Sequence, residues 1–122
     1  EVLDFAGPFE VFSVTDEIAQ HTRFEVYTVA EKPGTVVARN GLKVVPDHTL
    51  ASAPAADVLI LPGGYGARAL LANDAVLDWV RRQAAGAEVV VSVCTGARLL
   101  AHLGLLDGLD VTTHTDNLDE IA

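Results

Sequence analysis

The 122-residue sequence predicts an α/β fold: a parallel sheet with helices on both faces. Two continuous apolar runs carry that expectation, Asp57-Val58-Leu59-Ile60-Leu61 and Val89-Val90-Val91-Ser92-Val93. Each reads as a strand buried on both faces. Each also runs into a glycine-bearing turn and then a helical stretch, the connection that parallel strands require.

Taken in order, residues 1–5 read as the end of a strand or the loop after it. Gly7-Pro8 signals a helix start, because proline suits the first turn. Phe9, Val11, Phe12 and Ile18 then give an approximate helical stripe to about Gln20. Residues 23–29 alternate and predict a strand. Two short β runs, 35–38 and 42–45, flank Asn40-Gly41, a pair that favours a tight hairpin. After the first apolar run comes Pro62-Gly63-Gly64-Tyr65-Gly66, then a short helix over 67–71. Asn73 or Asp74 caps a longer helix to about Ala85, with Val76, Leu77 and Val80 on one side and Trp79 nearby. A helix over 97–103 follows Cys94 and is closed by Gly104. Residues 110–113 predict another strand, and 117–122 begin a helix. The chain is expected to be a single domain over 1–122, incomplete at both ends, because no first strand precedes Asp4 and the last helix runs off the end.

Eight Lys and Arg against 17 Asp and Glu give a net charge of −9. The basic residues are scattered and form no stripe, which argues against direct nucleic-acid binding. The acidity reads as solubility. One cysteine allows no internal disulfide and suits a reducing cytosol, so the sequence predicts a cytoplasmic chain. No signal peptide or long apolar run predicts a membrane span.

Cys94 ends the second apolar run, in Ser92-Val93-Cys94-Thr95-Gly96. One reading is an inert core thiol, since free cysteine is among the most buried residue types. The other is a nucleophile on a strand-to-helix elbow. Small flanking residues permit the close packing of such a turn, and the following helix favours a thiolate. The position is also the carboxyl end of a parallel strand, where open α/β sheets bind ligands. Pro62-Gly63-Gly64 is an ordinary turn, or else a loop whose Gly64 N–H joins that of Thr95 in an oxyanion hole. Asp4 is either a capping or solvated carboxylate or a general acid/base beside the thiol, with Glu10 a second candidate. His114, in Thr112-Thr113-His114, is a loop histidine or a base paired with Cys94. His21, His48 and His102 have no company that suggests chemistry. No cluster has metal-ligand spacing, so no metal is expected. The glycine-rich loop lacks both the Lys-Ser/Thr of a P-loop and a dinucleotide fingerprint, so no nucleotide cofactor is expected either.

The segments Asp4-Phe5-Ala6-Gly7-Pro8-Phe9-Glu10-Val11-Phe12, Leu61-Pro62-Gly63-Gly64, Ser92-Val93-Cys94-Thr95-Gly96 and Thr112-Thr113-His114 together resemble the DJ-1/PfpI (ThiJ/PfpI) superfamily. They span nearly the whole chain in order. The pattern is most similar to isonitrile hydratases and to the amidotransferase-like domains of AraC-type transcription regulators. The resemblance implies a flavodoxin-like sandwich, a homodimer and no cofactor. It implies Cys94 as nucleophile, Asp4 as the carboxyl group near it, and Gly64 and Thr95 as amide donors. Two departures stand out. The superfamily's proteases carry histidine directly after the cysteine, where this chain has Thr95. The hydratases and regulators often carry an aromatic residue where this chain has Thr115. The function expected is thus a cysteine-dependent hydratase or hydrolase acting on a small molecule. The alternatives are a ligand-sensing regulator domain and a redox-protective protein.

Overall fold

The computed structural model describes residues 1–121. The chain divides into two compact units, Val2–Pro54 and Glu1 together with the residues from Ala55 onward. The fold is α/β, with parallel strand pairing in each unit.

The first unit opens with α1, Val2–Ile18. Pro8 therefore lies inside the helix and does not start it, a correction to the sequence reading. Its ring fixes φ near the helical value, so the helix continues, while the missing N–H and the ring's crowding of the carbonyl four residues back cost about 3 kcal/mol. The helix stops at Gln20 and His21, which take the left-handed conformation at φ 58° and 56°. Asp16 then closes the turn. Its Oδ1 accepts the N–H groups of Arg23 (2.9 Å) and Phe24 (2.8 Å), and its Oδ2 pairs with His21 Nδ1 at 3.1 Å. Phe24 packs edge-on against Phe12 of α1, with ring centroids 4.9 Å apart.

Of the strand expected over 23–29, only its last residue joins a ladder: β1 is Val29–Ala30. The reason lies in where the backbone donors go. The N–H groups of Arg23 and Phe24 are taken by Asp16, and that of Thr28 by Asp47 Oδ2 at 2.8 Å. Carboxylates replace the strand partners. The expected hairpin does form: β2 (Val36–Val37) pairs antiparallel with β3 (Lys43–Val44). Asn40 and Gly41 between them sit at φ 61° and 90°, the conformation that this pair tolerates best. The short strand β4, His48–Thr49, runs parallel to β1.

The second unit holds the buried apolar side chains. Strand β5 (Val58–Leu61) leads to α2 (Tyr65–Leu70) and α3 (Asp74–Gly86). Asn73 caps α3 by accepting the Val76 N–H. Val76, Leu77, Trp79 and Val80 are buried, as their helical spacing predicts, with Leu59 and Leu61 of β5. Strand β6, Val89–Ser92, pairs parallel with β5, and α4 (Ala97–His102) adds Ala97, Leu99 and Leu100 to the core. Gly104, at φ 69°, ends that helix. Two expectations fail here. The valine run of β6 is not buried on both faces, since Val89 and Val91 are exposed. The strand expected over 110–113 is likewise irregular chain. Helix α5, Leu118–Ile121, follows a tight turn at Thr115–Asn117; Ala122, the end of the expected helix, lies outside the described residues.

Candidate active site

Strand β6 delivers Cys94 into a single tight turn, Cys94–Gly96, that runs straight into α4. Cys94 is half-buried and stands at φ 53°, the left-handed region that costs a non-glycine residue about 1–2 kcal/mol. Gln20, His21 and Asn40 share that conformation, but at a helix end and a hairpin. Cys94 adopts it at a strand–helix junction, and backbone strain of this kind clusters at functional sites.

The surroundings hold the turn in place. Val93 N–H donates to the Leu61 carbonyl at 3.0 Å, extending the β5–β6 ladder to the elbow. Gly96 N–H closes the turn on the Val93 carbonyl at 2.9 Å. A methyl group on Gly96 would collide with the Leu61 carbonyl oxygen, so only glycine fits there. A methyl on Gly63 would lie 2.6 Å from both the nitrogen and Oγ1 of Thr95. The loop after β5 and the elbow after β6 are thus in direct backbone contact.

Three of the residues expected in the site meet at this junction. Gly64 N–H donates to Thr95 Oγ1 at 2.8 Å, next to Cys94. Having accepted that bond, the Thr95 hydroxyl keeps its own proton to donate. Asp4 lies in the other unit, in the first turn of α1, and is buried at 7 % exposure. His114 is oriented elsewhere: its Nδ1 accepts the Asp116 N–H at 3.3 Å, and its side chain is half exposed. Its neighbour Thr113 is what touches the elbow, donating its hydroxyl to the Cys94 carbonyl at 2.7 Å. Sequence reasoning passed over Thr113 and Gly63, although both stand inside motifs that it singled out. Backbone N–H bonds in the first unit hold the carboxyls of Asp16 and Asp47 below their ordinary value, so these two belong to the scaffold.

A cavity of about 640 Å³ in the second unit is lined by Arg98, His102, Asp110 and Glu120 with apolar neighbours, but Cys94, Thr95 and Gly64 do not line it. No described helix is long and apolar enough to cross a membrane.

The DJ-1/PfpI family model matches residues 1–122. The chain belongs to the DJ-1/PfpI family. The chain is 37 % identical over 112 residues to an isonitrile hydratase from Pseudomonas putida, covering 92 % of this chain and 46 % of that protein. It is 29 % identical over 117 residues to the HTH-type transcriptional regulator GbdR from Pseudomonas aeruginosa, covering 96 % of this chain and 32 % of the regulator. Among solved structures, a ThiJ/PfpI family protein from Pseudomonas syringae superposes with a TM-score of 0.86 at 30 % identity, over 98 % of this chain and 48 % of that one. The chain spans less than half the length of these relatives. The flavodoxin-like α/β class expected from the sequence is borne out by this neighbour and by the parallel β5–β6 pair.

Proposed function

We propose that this DJ-1/PfpI chain is a cysteine-dependent hydratase or hydrolase of a small electrophile, with an isonitrile as the candidate substrate. The observation that carries the reading is Cys94 itself: a half-buried thiol in a left-handed turn at the carboxyl end of a parallel strand, backed by Gly96 against the Leu61 carbonyl. Such a turn presents a side chain away from its own backbone, which a nucleophile needs and a packing residue does not. The 37 % identity to an isonitrile hydratase supports the choice of substrate.

In the proposed reaction the Cys94 sulfur attacks the terminal carbon of the isonitrile, forming a C–S bond. The thiol proton ends on that carbon, giving a thioimidate. Asp4 moves the proton and then delivers water to the same carbon. Collapse breaks the C–S bond, returns the proton to sulfur and releases an N-substituted formamide, a net addition of one water. The Thr95 hydroxyl and N–H donate to charge that develops during attack, with Gly64 N–H acting through Thr95 Oγ1. Thr95, standing where the superfamily's proteases have histidine, disfavours peptide cleavage. Homodimerisation, a cytoplasmic location and the absence of a cofactor form part of the same proposal.

A second reading is a ligand-sensing domain of a transcription regulator, favoured by the match to GbdR over 96 % of the chain. Incubating the protein with an alkyl isonitrile and following formamide by mass spectrometry separates the two. Multiple turnovers support the enzyme; stoichiometric binding without product supports the sensor.

A further inference from the structure

Beyond the elbow, the second unit carries an ion-pair cluster that sequence patterning did not single out. Arg98 lies on α4, just after the elbow, and its side chain is largely buried, 14 % exposed. One terminal nitrogen donates to Asn117 Oδ1 at 3.2 Å, and the other pairs with Glu120 Oε2. The remaining oxygen of Glu120 accepts from Arg68 at 3.1 Å. Arg68 is on α2, the helix that begins directly after Gly64. Glu120 therefore bridges the helix behind Gly64 to the helix behind Cys94. The same terminal strap, residues 113–120, is pinned at its start by the Thr113 hydroxyl on the Cys94 carbonyl.

We propose that this clamp positions the nucleophile: Glu120, through Arg98 and Arg68, fixes the Cys94–Thr95 turn against the Gly63–Gly64 loop. The inference rests on the reading of Cys94 as nucleophile and adds Arg98, Glu120 and Arg68 as positioning residues. Three features support a clamp over a passive surface pair. Both Glu120 oxygens are engaged, each by a different helix. Arg98 uses its fork to hold two partners at once, which a lysine ammonium on a flexible stem does not reproduce. The two loops so joined have no slack, since Thr95 abuts Gly63 at distances that exclude a methyl group.

The test uses Glu120→Gln, Arg98→Lys and the double variant in the full chain. Thermal melts and circular dichroism establish that each folds. With an alkyl isonitrile, each single variant is expected to lose about tenfold in kcat with KM changed less than about twofold, because misplacement of the nucleophile is felt in the transition state. The double variant is expected to lose no more than the worse single one, the signature of one coupled unit. In parallel, the rate of Cys94 alkylation by iodoacetamide is measured. It is expected to rise about threefold or more in both single variants as the strap loosens its hold on the half-buried thiol. Alkylation is independent of substrate, so failure of wild-type protein to hydrate isonitriles overturns the hydratase reading and leaves the clamp to be judged by this rate. Alkylation rates equal to wild type in folded variants overturn the clamp.

Discussion

The hydroxyl of Thr113 donates to the backbone carbonyl of Cys94 at 2.7 Å. That carbonyl belongs to the residue in the left-handed conformation, so one side chain from 19 residues further along the chain holds the turn at that residue. Thr113→Val keeps the shape and removes the donor. The expected cost is about 1 kcal/mol of stability, read from urea unfolding, because the carbonyl loses its partner. Turnover should fall by more than the stability loss explains, since the elbow is then freer to move. A variant with wild-type activity would show that the bond serves stability alone.

Glycine is required at the elbow by contact, not merely by flexibility. Gly96→Ala drives a methyl into the Leu61 carbonyl, which is backbone and cannot rotate away. The expected loss is about 3 kcal/mol, at the upper end for overpacking. Gly86→Ala is the matched control, because a methyl there meets nothing within 4 Å at the end of α3. That change should leave stability level or raise it by about 0.5 kcal/mol. Unfolding midpoints of the two variants, compared side by side, check both statements.

Asp16 supplies the expected acid sensitivity of the first unit. The N–H groups of Phe24 and Arg23 hold its carboxyl below the ordinary value of 3.8. Folding therefore favours the ionised form, and the stabilisation is present in full above the unfolded value. It is lost as pH falls through the lower folded value. Melting temperature measured from about pH 6 to about pH 2 should fall further in wild type than in Asp16→Asn. Parallel curves would show that the carboxylate contributes nothing that its amide does not.

The parts of the fold legible in the sequence were those decided locally. Asn73 before the stripe Val76, Leu77 and Val80 announces α3, and Asn40-Gly41 announces its hairpin, because a cap and a turn are chosen by residues next to them in sequence. The strand expected over 23–29 failed because carboxylates outside the stretch, Asp16 at the end of α1 and Asp47 after the hairpin, take the backbone donors of Arg23, Phe24 and Thr28. The site divides along the same line. The elbow at Cys94 is written in Ser92, Gly96 and the preceding valines. The Thr113 contact and the Glu120 bridge join residues far apart along the chain, and no spacing pattern reveals them. His114 drew notice as a chemical residue type, yet the hydroxyl beside it makes the contact.

The nucleophile proposal makes its sharpest statement about the Cys94 sulfur. The most direct measurement is steady-state formation of N-substituted formamide from an alkyl isonitrile by wild type, Cys94→Ser and Asp4→Asn. Intact-mass spectrometry of quenched samples accompanies it, to detect a covalent adduct. The account predicts multiple turnovers by wild type and a loss of about a thousandfold or more in Cys94→Ser. It predicts a folded but impaired Asp4→Asn, and an adduct confined to Cys94. Formamide produced by Cys94→Ser at the wild-type rate would contradict it.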